Sequence, residues 1–337
     1  MKVVSRRLRV LLALPIAFGA LVAVGVTAQA ATPRAFAAPG EVSLVAGVND
    51  PKDPNIAVLE FLPDSIKVAQ GTKVTWSIAG PEPHSVTFVP PGTKVPLSTE
   101  TDPSLFGASG TPTNYDGTTL VNSGVLPLGA ATQVQKFTMS FAKTGTYTYY
   151  CVLHPNMVGK VQVTGDTQDS QSSITSKGNS QKKKYYSEGE AAKKKLLKAK
   201  SKSTTNADGS TNYSVEMGAS TAHTDVLAFA PTPKSVKAGD SVTFVNNSAA
   251  PHTASFGGPL VPVVPTAANV VNAVPGASPQ PLVADTYINS GWLPPKAPGG
   301  PPVAARSFTF QVPDAGTYAY ACVLHLPSGM AGEIDAT

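Results

Sequence analysis

Short runs of alternating apolar and polar residues recur along most of the chain, each closed by glycine or proline. Ser65 to Val68 and Thr72 to Ile78 alternate about a turn at Gly71, and Ser235 to Val236 and Ser241 to Val245 do so about Gly239. Gln135 to Phe141 and Ser307 to Val312 keep the same period of two, which predicts strands with one buried face. Tyr147 to Val152 and Tyr318 to Val323 are aromatic and β-branched, and predict strands that end at a cysteine. Lys160 to Val163 and Glu333 to Ala336 predict a short closing strand after each. A helical pattern is weak and confined to Glu188 to Lys202, where Glu190 and Lys194 stand four apart.

The predicted strands fall into two matching sets. Phe61-Leu-Pro, Val68-Ala-Gln-Gly71, Val74-Thr75-Trp76, Pro83-His84 and Phe88 match Phe229-Ala-Pro, Val236-Lys-Ala-Gly239, Val242-Thr243-Phe244, Pro251-His252 and Phe256 at a constant offset of 168. Asn122-Ser-Gly124 then matches Asn289-Ser-Gly291, and Phe137-Thr-Met matches Phe308-Thr-Phe. Two copies of this length predict a tandem of β-sandwich domains, over residues 41–164 and 214–337. Between them, 165–213 is rich in Lys, Ser, Thr and Gln and reads as a flexible linker. Pro90 to Ala131 and Gly257 to Pro302, the latter with eleven prolines, are long irregular insertions that could be functional surfaces or tolerated loops.

Charge sharpens this division. The formal net charge of +5 is carried by the first thirty residues (+4) and by 165–213, which holds 10 Lys against 5 acidic residues. The remainder is mildly acidic, which argues against a nucleic-acid surface. Lys2, Arg6, Arg7 and Arg9 precede an apolar run from Val10 to Val26 and the small residues Ala28-Gln-Ala30, as in an export signal over 1–30. Ser5-Arg6-Arg7 resembles part of a twin-arginine signal, so export by either the Sec or the Tat route is open, as is retention of the segment as an anchor. The expected location is extracytoplasmic: periplasmic, cell-surface or secreted. The Lys-rich linker could add a peripheral hold on a membrane or cell surface.

The candidate chemistry lies in two short segments, Cys151-Val-Leu-His154-Pro-Asn-Met157 and Cys322-Val-Leu-His325-Leu-Pro-Ser-Gly-Met330. Each follows a Gly-Thr-Tyr run and is followed by a glycine two residues past the methionine, Gly159 or Gly332. Upstream of each stands one isolated histidine, His84 or His252, in a Pro-His setting. A thiolate, two imidazoles and a weak thioether make the ligand set of a trigonal copper site with a long axial methionine. The alternatives weaken on counting. A disulfide between the only two cysteines would destroy both motifs, and zinc would want further Cys or His nearby. His223, the fifth histidine, has no counterpart in the first copy and reads as a solvated surface residue, while Met139 and Met217 read as structural.

Both copies resemble cupredoxins of the plastocyanin, amicyanin and pseudoazurin type. The Cys-x₂-His-x₂-Met spacing of the first is similar to amicyanin, and the Cys-x₂-His-x₄-Met spacing of the second to plastocyanin. The resemblance implies an all-β fold of two Greek-key sandwiches. It also implies two type 1 (blue) copper ions, one held by His84, Cys151, His154 and Met157 and the other by His252, Cys322, His325 and Met330, and one-electron transfer. In this family the loop histidine reaches the surface, so redox partner proteins are expected to dock transiently near His154 and His325, beside Pro155, Met157, Leu326 and Pro327. Family members often carry Asn after the first ligand histidine and Pro before the loop histidine; this chain has Ser85 and Thr253, and Leu153 and Leu324. Two other functions are open: copper storage or delivery outside the cytoplasm, and a two-domain copper oxidase or nitrite reductase. The last needs extra histidines for a catalytic copper, and only His223 is left over.

Overall fold

The computed structural model describes residues 40–78, 80–94, 103–126, 135–257, 279–283, 286–296 and 302–337. The expected signal segment, 1–30, and parts of both irregular insertions lie outside the described residues. The first repeat forms strands β1 (Glu41–Asp50), β2 (Asp53–Leu62), β3 (Ser65–Ala69), β4 (Lys73–Ile78), β5 (Thr87–Phe88), β6 (Val121–Asn122), β7 (Gln135–Ser140), β8 (Gly145–Tyr150) and β9 (Val158–Thr164). Helix α1 (Gln171–Leu197) follows, then the edge strand β10 (Lys202–Thr205). The second repeat forms β11 (Thr211–Ser220), β12 (Thr224–Ala230), β13 (Ser241–Asn246), β14 (Ser255–Phe256), β15 (Gln280–Pro281), β16 (Ile288–Asn289), β17 (Ser307–Gln311), β18 (Gly316–Ala321) and β19 (Ala331–Ala336).

Each repeat is a sandwich, and the two share one sheet. Strands β15-β17-β13-β11-β12-β2-β1-β4-β7 run as a single sheet, with β10 added on β11. A five-stranded sheet, β3-β9-β8-β5-β6, closes the first lobe, and a four-stranded sheet, β16-β14-β18-β19, closes the second. The period-two apolar residues meet between the sheets, as the alternating pattern requires. Trp76 packs edge-on against Phe88 and Tyr149 in the first core. Phe244 does so against Phe256, Phe310 and Tyr320 in the second. Met139 and Met217 are buried in these cores.

The seam between lobes is the pairing of β2 with β12, in the register Val58 with Thr224, Ala57 with Asp225 and Ile56 with Val226. Ala57 and Asp225 are separated by the repeat offset of 168, so each faces its own counterpart. The pairing is therefore an antiparallel association of one strand with its copy about a local two-fold axis. Ala57 and Leu59 of the first repeat belong to the core of the second.

The segment between the repeats is not the flexible tether its composition predicts. Helix α1 begins at Gln171, capped by the Ser170 side chain, far upstream of the expected Glu188. Its buried residues are Ile174, Gly178, Tyr185, Gly189 and Leu196, a stripe at intervals of four and seven along one face. Tyr185 packs with Val58 and Leu62 of the first lobe, and Leu196 with Val226 and Ala230 of the second. Polar contacts reinforce both seats. Lys193 bonds both Asp53 carboxylate oxygens at 2.7 Å, and the Thr224 hydroxyl donates to the Tyr185 carbonyl at 3.1 Å. The helix thus straps the seam. Among the described residues, no helix is long and apolar enough to cross a membrane.

Candidate metal centres

Each centre is assembled where β8 or β18 ends. Past β8 the chain turns so that the Cys151 amide donates to the Met157 carbonyl and the Met157 amide to the His154 carbonyl, both at 3.0 Å. The second loop repeats this closure, with Cys322 N to Met330 O at 3.0 Å and Met330 N to His325 O at 3.2 Å. Its two extra residues are taken up in a 3₁₀ turn, Leu326–Ser328, ended by Gly329 at φ 80°. The glycines after each methionine have a packing cause. Gly159 pairs with Tyr149 and Gly332 with Tyr320, and a Cβ at either position would strike that tyrosine.

The distant histidines are held by short bridges. His84 exchanges backbone hydrogen bonds with Leu126 at 2.7 and 2.8 Å, and His252 with Leu293 at 3.2 and 2.8 Å. Space for each ring comes from a bulge. The β1–β2 register breaks at Gly47 (φ 66°), and the β11–β12 register at Gly218 (φ 82°). A Cβ on Gly47 would overlap the His84 ring, and one on Gly218 would come within 3.0 Å of His252 Nε2.

Three donor atoms converge in each lobe: His84, Cys151 and His154 in the first, His252, Cys322 and His325 in the second, with all ligand atoms of a group within 4.8 Å of one another. The Cys151 sulfur lies 3.4 Å from His154 Nδ1 and 4.0 Å from His84 Nδ1. The Cys322 sulfur lies 3.3 Å from His325 Nδ1 and 3.7 Å from His252 Nδ1. Met157 and Met330 are buried beside them, in the same core clusters as the cysteines. Ser85 and Thr253 tie the cysteine loop to the histidine segment. Their amides point at the sulfurs, at 3.4 and 3.3 Å, and their hydroxyls accept from the Val152 and Val323 amides. A hydroxyl here does what a side-chain amide could do, pinning two segments that both carry ligands.

Electrostatics match a cation site. Burial pushes each thiol up, but the neighbouring imidazoles outweigh it and hold Cys151 and Cys322 well below the usual thiol range. Burial likewise opposes the charge on His154, yet Cys151 and Glu82 lift its pKa to about 10. Each triad is a dry pocket of thiolate and imidazole with every Nδ1 turned inward, the donor chemistry that copper takes. The outward Nε2 atoms differ between lobes. His252 Nε2 meets the Ser248 hydroxyl at 2.7 Å, whereas His84 Nε2 has no hydrogen-bond partner among the described residues.

Residues 52–164 match the family model of copper binding proteins, plastocyanin/azurin family. Plastocyanin of Scenedesmus fuscus is 32% identical over 123 residues, covering 36% of this chain and 97% of that protein. The chain belongs to the plastocyanin/azurin family. Chloroplastic plastocyanins of Tetradesmus obliquus (33% identical) and Physcomitrium patens (32%) align with about a third of this chain, which spans 61% and 51% of their lengths. Among solved structures, an oxidised amicyanin variant is similar at 18% identity and a TM-score of 0.24, over 37% of this chain and 82% of that one. Two copper ions, one per triad, fit this cupredoxin-like chain.

The expected exposure of the loop histidines is overturned. His154 and His325 are each only 2% exposed. Both are covered because the lobes meet there: His154 Nε2 lies 3.2 Å and His325 Nε2 3.1 Å from one carboxylate, Glu82. Partner docking on those imidazole edges, expected from the family resemblance, does not suit this arrangement. His223 also departs from the solvated role. It stacks on Tyr185 with ring centroids 4.2 Å apart, and its Nδ1 lies 2.9 Å from Glu188. Glu82 itself gives little sequence signal beyond an acidic residue between prolines, two positions before a ligand histidine.

Proposed function

We propose that the chain is an exported, two-domain type 1 copper protein that carries single electrons. The observation that supports this most is the pair of buried triads of two histidines and one cysteine, each closed by a methionine-bearing loop. In this reading His84, Cys151, His154 and Met157 hold one ion, and His252, Cys322, His325 and Met330 the other, within domains 41–164 and 214–337. Bound copper would supply a one-electron couple. The protein's part is to keep that couple cheap to cycle. Ligands from two strands and a hydrogen-bonded loop resist movement, and burial excludes water that would otherwise reorganise with the charge. Amide hydrogens from Ser85 and Thr253 at the sulfurs stabilise thiolate charge.

An enzymatic role lacks a histidine to build on, because four of the five serve the triads and His223 is engaged by Tyr185 and Glu188. Its partners are redox proteins met through transient contacts away from the covered imidazoles. The exposed Lys183, Lys184, Lys194 and Lys195 of α1 suit a peripheral hold on an acidic surface. Visible and EPR spectra of the copper-reconstituted chain test the reading. An intense blue colour with two copper equivalents is expected, and Cys151→Ser or Cys322→Ser should each remove one colour centre. A colourless loaded protein would refute it, and coloured centres that fail to cycle reversibly would mark copper storage instead.

A further inference from the structure

Glu82 is shared by both centres. It is 2% exposed and lies between two imidazoles whose inner nitrogens face thiolates. Oε1 is 3.2 Å from His154 Nε2 and 3.1 Å from His325 Nε2, and Oε2 is 3.1 Å from the latter. With each Nδ1 committed to the metal side, each Nε2 carries the proton, and a carboxylate has acceptor positions enough for both. The repeat counterpart of Glu82 is Ala250, also buried. Two equivalent imidazoles therefore converge on one inequivalent side chain, which duplication alone would not produce.

On the copper reading given above, we propose that Glu82 couples the two centres: it positions both loop imidazoles and forms the hydrogen-bonded bridge by which one electron crosses from one centre to the other. The step balances simply. One centre loses an electron and the other gains it, no bond is made or broken, and both Nε2 protons stay on their rings. Because the carboxylate makes both imidazoles better donors, it also favours the more positive metal state at both sites.

The test uses the full chain, copper-loaded, with and without Glu82→Gln. Glutamine keeps the volume but removes the negative charge, and it replaces the second acceptor oxygen, which lies 3.1 Å from His325 Nε2, with an NH₂ that can only donate. Both reduction potentials should rise together, and electron exchange between centres after pulsed one-electron reduction should slow, with two coppers still bound. A shift at only one centre, or at neither, would overturn the proposal. Should the variant fold poorly, NMR of the unaltered, metal-free chain with ¹⁵N-labelled histidine gives a second reading. His154 and His325 should each show a slowly exchanging Nε2 proton, and free exchange at either would overturn the bridge. A chain that takes up no copper yet keeps both protons contradicts the electron-carrier reading. One that is blue but whose potentials ignore Glu82 contradicts only the coupling.

Discussion

At Gly47 the backbone of β1 takes φ 66° within a bulge, and the missing Cβ leaves the space that the His84 ring fills. An alanine there would carry about 1–2 kcal/mol of left-handed backbone strain and would collide with a ligand ring. Gly47→Ala should therefore lose copper from the first centre while the second keeps its colour, read by metal stoichiometry and the visible spectrum. Retention of both colours would refute that account. Chemistry at the same scale was unevenly legible. Two cysteines and five histidines are few enough that their repeated spacing pointed to the places where three donors converge. Gly47 was not legible because its bulge precedes the part of the repeat that aligns cleanly. Glu82 was not legible because comparing the copies discards a residue that one copy lacks, and only the arrival of the second lobe gives it a second partner.

Strands were read from their alternation, and most that alternate were found. β2 escaped because it is buried on both faces through Ile56 to Leu62, so it has no polar side to set a period. β1 alternates only over Glu41 to Ala46, before its bulge at Gly47 breaks the period, and was missed as well. Of helix α1 only the part from Glu188 was expected, and its earlier turns escaped for a related reason. Its contact stripe uses Gly178 and Gly189, where a Cβ would press on the Leu62 and Pro63 backbone and on Ile56. Close approach replaces apolar bulk, so the segment reads as polar. Ile174, 2% exposed and in the core of the first lobe, anchors the near end. Ile174→Ala should cost about 2–5 kcal/mol, with hydrogen exchange accelerating first in the early turns of α1. Unchanged protection there would show that the helix is held by its polar contacts instead.

The two lobes and the helix act as one body, and Glu60 reports on their junction. It is buried on β2, and burial, with Asp64 and Glu188 nearby, raises its pKa to about 8. The Tyr185 phenol also lies within its electrostatic reach. Since the folded value exceeds the ordinary 4.5, the protonated carboxyl favours folding fully below pH 4.5, and that contribution is lost as pH rises through 8. Thermal stability of the parent should fall over that interval, and Glu60→Gln should flatten the fall and be the more stable at pH 8. A parallel pH profile for the variant would place the titrating group elsewhere. The self-pairing of β2 with β12 has a historical consequence. A strand that pairs with its own copy about a two-fold axis is the interface of a homodimer, so a single-repeat ancestor could have associated in this way before its gene was doubled and fused. Fusion freed each half to change alone. The carboxylate at residue 82 where the second copy has an alanine at 250, and the alanine at 57 facing an aspartate at 225, are substitutions a symmetric dimer could never have made on one side only.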